Sequence, residues 1–354
     1  MNAAGLAGST KSAEPVTSTP RTDHRVSMGD VARLAGVSAQ TVSRVSNGFP
    51  GVLEETRQQV LAAMKQLGYR PNSAARALKS GHFKTIGVIM FTLATTGNMR
   101  TLEAITDAAL SEGYAITLLP PVPAQERGGA FSRVGEQVVD AVIVVMERHE
   151  RALSDLVLPR EVPVVVADSG AGNQYPVVDT DQVTGAASAV NYLLDLGHRT
   201  VWHVAGPEES FAAQRRVNAW RQVLVGRNIV PPPMLTGDWS AESGYQAGTR
   251  LARESSCTAV FVANDHMALG VLRALHDSGR FVPDNVSVVG FDDVPESSSF
   301  QPPLTTVHQD FAEVGRRCIA RVLAQIRGEA PELVTDLVPT RLVIRQSTAP
   351  PKPS

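Results

Sequence analysis

Cysteine is almost absent from this chain: Cys257 and Cys318 are the two in 354 residues. Two thiols cannot build a disulfide framework, and so sparing a use of them points to a reducing compartment. Long apolar runs are missing as well. A membrane-spanning helix needs roughly 20 consecutive apolar residues, whereas the best run here, 138–146, is short and contains Asp140. No apolar segment follows Lys11, so residues 1–24, rich in Ala, Ser, Thr and Pro, read as a disordered tail of a cytoplasmic protein and not as a signal peptide. Catalytic signatures are also lacking. Gly170-Ala-Gly172 has no following helix pattern to make a phosphate loop, and there is no His-Glu-x-x-His, Cys-x-x-Cys or Gly-x-Ser-x-Gly. The expectation is a protein that is not an enzyme and needs neither metal nor cofactor.

Net charge is nearly absent too, at −2, but the average conceals a partition. Between residues 25 and 80, eight basic side chains face three acidic ones, giving +5; residues 1–24 balance, which leaves −7 on 81–354. A basic head on an acidic body confines attraction for phosphate to the head.

The head reads as short capped helices. Ser27 and Asp30 form a capping-box pattern ahead of Val31, Ala32 and Leu34. Gly36-Val37 breaks that helix, Ser38 can cap a second one over 39–46, and Asn47-Gly48 ends it. Val42 and Val45 share one face of this second helix, while Gln40 and Arg44 lie on the other. Such a pair fits a helix-turn-helix whose second helix enters the major groove, Gln40 facing adenine and Arg44 guanine or phosphate, with Ala39 as a methyl-sized contact. An ordinary helical hairpin with solvated polar residues fits the same pattern. A third helix over 54–67 would bury Val60, Met64 and Leu67. Pro71 then disfavours helix at Arg70, and 73–79 is too short to be a stable helix alone; it is either a segment that folds on a partner or a plain linker.

From residue 85 onward, β-branched runs (85–90, 115–119, 141–146, 164–167, 201–205, 259–263, 286–290) alternate with amphipathic stretches (102–111, 184–196, 215–226, 241–253, 267–278). That alternation predicts parallel α/β sheets, and the length predicts two sub-domains facing a cleft. Ligands of such sheets sit beyond the carboxyl ends of strands. Asp168, Asn264, Asp265, Asp292 and Asp293 fall at such ends, and Arg216 starts a following helix. Carboxylate, amide and guanidinium groups suit vicinal hydroxyls, and an aromatic face such as Trp239 or Phe311 suits a sugar ring. Singly, an Asp after a strand is as well read as a helix cap, Arg216 as a surface residue and Trp239 as core. In Asn264-Asp-His266, the first two are expected to line the cleft and His266 to begin a helix.

The string 31–48, with Thr56-Arg57, Gly68-Tyr69-Arg-Pro-Asn72 and Ala75-Arg-Ala-Leu78, resembles the head of the LacI/GalR family of bacterial repressors. Leu196-Gly-His-Arg199, Arg216-Val-Asn-Ala-Trp220, Val262-Ala-Asn-Asp265, Val288-Val-Gly-Phe-Asp-Asp293 and Pro303-Leu-Thr-Thr-Val307 extend the resemblance over 26–346. It implies an all-α head with a helix-turn-helix (25–70), a hinge helix and linker (71–83), and a periplasmic-binding-protein-like two-lobed α/β effector domain (84–346) that dimerises. Residues 347–354, Pro-rich and without a leucine heptad, are expected to be a disordered tail, which makes the assembly a homodimer. The implied DNA contacts are Ser38, Ala39, Gln40, Thr41, Ser43, Arg44, Asn47, Asn72, Ala75 and Leu78, the last as a wedge in the minor groove. The implied effector contacts are Asp168, Arg216, Trp239, Asn264, Asp292 and Phe311. The implied function is repression of carbohydrate-utilisation genes from an inverted-repeat operator of double-stranded DNA, relieved by a small sugar such as a galactoside. Alternatives are a ligand acting as co-repressor and a sugar receptor with no DNA role. Three positions depart from the pattern: Leu53 stands where a capping Ser is usual, Ala219 replaces a common Gly, and 91–100 lacks the usual aromatic and proline residues.

Overall fold

The computed structural model describes residues 26–69, 81–119, 139–146, 162–167 and 174–352. The chain divides into two compact units, 1–76 and 77–354. The first holds α1 (Met28–Leu34), α2 (Ala39–Ser46) and α3 (Glu54–Leu67). Ser27 and Asp30 cap α1 reciprocally, and Ser38 caps α2 by accepting from the Thr41 amide. Leu53 supplies no side-chain cap to α3. That helix starts at Glu54 regardless, because Val60, Ala63 and Met64 pack on Val31, Val42 and Val45 and hold its register from the buried side. Two glutamates in the first turn complement the uncapped end.

The second unit contains two six-stranded sheets. β1 (Thr85–Met90), β2 (Ala115–Leu119), β3 (Ala141–Val145), β4 (Val164–Ala167), β5 (Val177–Thr180) and β11 (Thr335–Val338) form the first, in the order β11-β5-β4-β3-β1-β2. The second contains β6 (Trp202–Ala205), β7 (Leu235–Thr236), β8 (Ala259–Val262), β9 (Ser287–Asp292), β10 (Thr305–Gln309) and β12 (Thr340–Val343), ordered β12-β10-β9-β8-β6-β7. All pairings are parallel except β10 with β12. Strands such as Ala-Val-Ile-Val-Val in β3 are buried at every residue, as expected when helices cover both faces. Those helices are α4 (Thr96–Ser111), α5 (Gln182–Asp195), α6 (Phe211–Gly226), α7 (Ala241–Leu251), α8 (Asp265–Asp277) and α9 (Phe311–Ile326).

Among the described residues the chain passes between the sheets three times, at Asp181, Asp310 and Pro339. Asp181 caps α5 by accepting from Thr184 at 2.9 Å, and Asp310 caps α9 by accepting from Glu313 at 2.8 Å. The Asp181 amide also donates to the Val338 carbonyl at 2.9 Å, tying the first crossing to the third. The element α9, absent from the sequence reading, packs Val314, Cys318, Ile319 and Val322 onto the first sheet although its sequence follows a strand of the second.

One expectation is corrected here. Residues 347–352, expected to be disordered, are ordered against β9 and β10. Ser347 is wholly buried; its hydroxyl donates to the Val288 carbonyl at 2.6 Å and accepts from the Thr305 amide at 2.8 Å. Proline-rich composition suggested disorder, but proline also suits an extended strap that bonds through its neighbours.

Candidate functional site

Beyond the carboxyl ends of both sheets lies a cleft of about 510 Å³, walled by both lobes. Arg216, in the second turn of α6, is 4% exposed and forms its floor. Its Nε donates to Gln182 Oε1 at 2.8 Å, Nη1 donates to the Ala263 carbonyl, and the guanidinium lies 3.8 Å over the Phe291 ring. Nη1 is 3.7 Å from Asp292 Oδ1, which also accepts from Gln309 Nε2 at 2.7 Å. Burial pushes the Asp292 carboxyl up to about 6, against the pull of Arg216 and Gln309.

Asn264 works in two directions. Its Oδ1 accepts from the Met267 amide at 2.9 Å, capping α8, and its Nδ2 donates to the Trp239 carbonyl at 3.1 Å. Trp239 takes a left-handed backbone, φ 75°, and Asp292 has φ 113°. Non-glycine residues held there cost free energy, and such strain gathers at functional sites. The Trp239 ring occupies the space that a side chain on residue 206 would need: a Cβ on Gly206 would lie 2.2 Å from it. The indole Nε1 is buried and has no hydrogen-bond partner. Trp239 lines the wall of the cleft.

The structure thus brings Arg216, Trp239, Asn264 and Asp292 onto one cleft. Phe311 instead lines a smaller recess behind it, and Asp168 lies outside the described residues. The reading of Asn264-Asp-His266 is corrected. His266 lines the cleft, whereas Asp265 is wholly buried and accepts from the Val294 amide (2.9 Å) and the hydroxyls of Ser297 and Thr306 (both 2.6 Å). Burial and the charge of Asp292 raise its carboxyl to about 7. Asp293 likewise faces structural partners, Arg345 at 2.6 Å and His308 at 2.9 Å.

Thr92, Thr95, Thr96 and Asn98 form the opposite wall, within the 91–100 segment that the resemblance implies as pocket wall though it singles out none of them. Sequence reasoning missed Asp238 and Ser240 beside Trp239. It also missed Gln182 and Gln309, joined by a 3.1 Å amide-to-amide bond next to two of the crossings. The Asp-x-Ser spacing at 238–240 carried a cap signal that could have flagged its pair; the glutamines carried none.

In the head, Ala39, Gln40 and Arg44 are exposed on α2. Ser38, Thr41, Ser43 and Asn47 are engaged in capping, with Asn47 Nδ2 donating to the Ser43 carbonyl at 2.7 Å. Asn72, Ala75 and Leu78 lie outside the described residues.

A helix-turn-helix head and a two-lobed parallel α/β clamp with a polar cleft define a ligand-responsive DNA-binding regulator. Residues 27–72 match bacterial regulatory proteins of the lacI family, and 190–348 match the periplasmic binding protein-like domain. The chain is 35% identical to the lactose operon repressor of Klebsiella pneumoniae over 91% of its own length and 92% of that protein's. It is 32% identical to the transcriptional repressor PurR of Histophilus somni, covering 90% and 97%. A crystal structure of the Lac repressor dimer bound to operator and the anti-inducer ONPF superposes with a TM-score of 0.79 at 34% identity, covering 92% of this chain and 99% of that one. The chain belongs to the lacI family of bacterial regulatory proteins. Among the described residues no helix is long and apolar enough to cross a membrane.

Proposed function

We propose that this protein is a cytoplasmic, homodimeric repressor of carbohydrate-utilisation genes, released from an inverted-repeat operator by a small sugar. The observation that carries the reading is the cleft itself. A guanidinium, a carboxylate and a carboxamide (Arg216, Asp292, Asn264) converge beside an indole whose N–H is unpartnered. Polar groups that bond hydroxyls beside an aromatic face are what a pyranose needs.

Two heads related by a two-fold axis would read the two half-sites, Gln40 and Arg44 meeting base edges and Ala39 a thymine methyl. Asn72, Ala75 and Leu78 are proposed to act between the half-sites, the leucine as a wedge. In the clamp, Arg216, Asn264, Asp292 and Trp239 would hold the sugar, with Phe311 and Asp168 at its far side. A bound sugar changes the angle between lobes at the crossings Asp181, Asp310 and Pro339. Release needs only a difference in ligand affinity between the two angles; a coupling of about 1–3 kcal/mol gives roughly 5–150-fold regulation.

Gel shifts on the DNA upstream of the protein's own gene, with and without a panel of sugars, test this. A specific band weakened by one sugar is expected. No band under any condition contradicts DNA binding, and a band that a sugar strengthens assigns the ligand as co-repressor.

A further inference from the structure

Behind Arg216 a second, smaller space of about 50 Å³ shares Gly97, Ala212 and Arg216 with the main cleft. A water needs only ~10–15 Å³, so the recess fits a short polar arm and not a ring. Asp179 of β5 lines it, 1% exposed, with Gln182 and Gln309. Its Oδ2 is ion-paired with Arg215 of α6, while its Oδ1 is buried with no hydrogen-bond partner. A buried carboxylate oxygen left unpaired costs free energy that a hydroxyl donor would recover. Burial raises the Asp179 carboxyl against the pull of Arg215, the Thr180 amide and Arg216.

The charge around the recess narrows the ligand further. The two α6 guanidinium groups nearest the recess already face carboxylates, Arg215 with Asp179 and Arg216 with Asp292. In the main cleft, Asp238 is held below the usual carboxylate range by bonds from Ser240, adding a negative charge on the way to the recess. A phosphate or carboxylate on the ligand would shed its water beside Arg215 and Arg216, whose charges are already matched.

We propose that the effector is an uncharged polyol, one hydroxyl-bearing arm of which enters this recess and donates to Asp179. The proposal rests on the sugar reading above and names the chemical class within it: neutral sugars, to the exclusion of sugar phosphates and uronates.

Isothermal titration calorimetry on the full chain tests it, using methyl pyranosides of the common neutral hexoses with the monodeoxy, 6-phosphate and uronate form of each. A neutral glycoside should bind, its 6-phosphate and uronate forms at least roughly 100-fold more weakly. One monodeoxy form should lose roughly 10-fold or more, because it leaves Asp179 unpaired. In Asp179→Ala and Asp179→Val that deoxy form and its parent should bind alike. Thermal melts establish that each variant is folded, and the order of neutral over charged forms needs no variant. Tightest binding by a phosphate or uronate, or an equal deoxy penalty with and without Asp179, overturns the recess assignment and leaves the sugar reading standing. Binding by no member of the panel overturns the sugar reading and the recess with it.

Discussion

Asn264 fixes Trp239: the same carboxamide that caps α8 through Oδ1 donates through Nδ2 to the Trp239 carbonyl at 3.1 Å. The helix cap and the strained tryptophan are therefore one unit, and ligand-facing geometry is coupled to the stability of the second lobe. Asn264→Ala should cost about 1 kcal/mol of stability through the lost cap. It should weaken sugar binding by more than that, because Trp239 is released from φ 75°. Urea unfolding and calorimetry on the same variant separate the two losses; equal losses would mean that Trp239 is held by something else.

Gly206→Ala isolates the ring itself. Its Cβ would meet the Trp239 indole at 2.2 Å, so the ring must leave its place. We expect sugar affinity to fall at least tenfold, about 1.4 kcal/mol, with little change in DNA binding. Unchanged affinity with unchanged tryptophan fluorescence would show that the ring is not part of the wall.

His203 makes stability depend on pH. It is fully buried, its Nδ1 donates to the Phe261 carbonyl at 2.8 Å, and its ring stacks on Phe261 at 4.8 Å. Burial pulls its pKa from 6.5 down to about 4. The unfolded chain takes up this proton first, so the contribution is intact above pH 6.5 and lost as pH falls toward 4, about 3 kcal/mol in all. Chemical unfolding at pH 7 and 4.5 should show a shallower pH dependence in His203→Phe than in the parent protein. Identical slopes would contradict the assignment.

The C-terminal strap is structural. Ending the chain at Gln346 would leave the Val288 and Thr305 amides without the Ser347 bonds they now make at 2.9 and 2.8 Å. Buried amides left unpaired cost about 1–3 kcal/mol each, so the truncated protein should melt several degrees lower. An unchanged melting temperature would show that the strap is dispensable.

Much of the head was legible because caps and breakers are local: Ser27, Asp30, Ser38 and Gly36 set the helix ends within a few residues of sequence. Asn264 and Asp292 were legible because strand ends in parallel sheets are where ligands sit, whereas Arg216 and Trp239 were singled out by the family resemblance. What sequence could not show depends on the chain crossing between sheets. Gln182 and Gln309 lie 127 positions apart and meet only because two crossings run side by side. Asp265 and His266 exchanged roles because the carboxylate found donors in Ser297 and Thr306, 32 and 41 residues away, and turned inward. Phe311 opens a helix whose host sheet is not that of the preceding strand, so local pattern could not assign it to a wall.

Fluorescence anisotropy of labelled operator DNA shows whether Arg216 couples sugar binding to release from DNA. The parent protein should bind the DNA and be displaced by its neutral sugar. Arg216→Ala should bind the same DNA with unchanged affinity and remain bound at every sugar concentration. Normal release of the Arg216→Ala protein, or no specific DNA binding by the parent, would contradict the account.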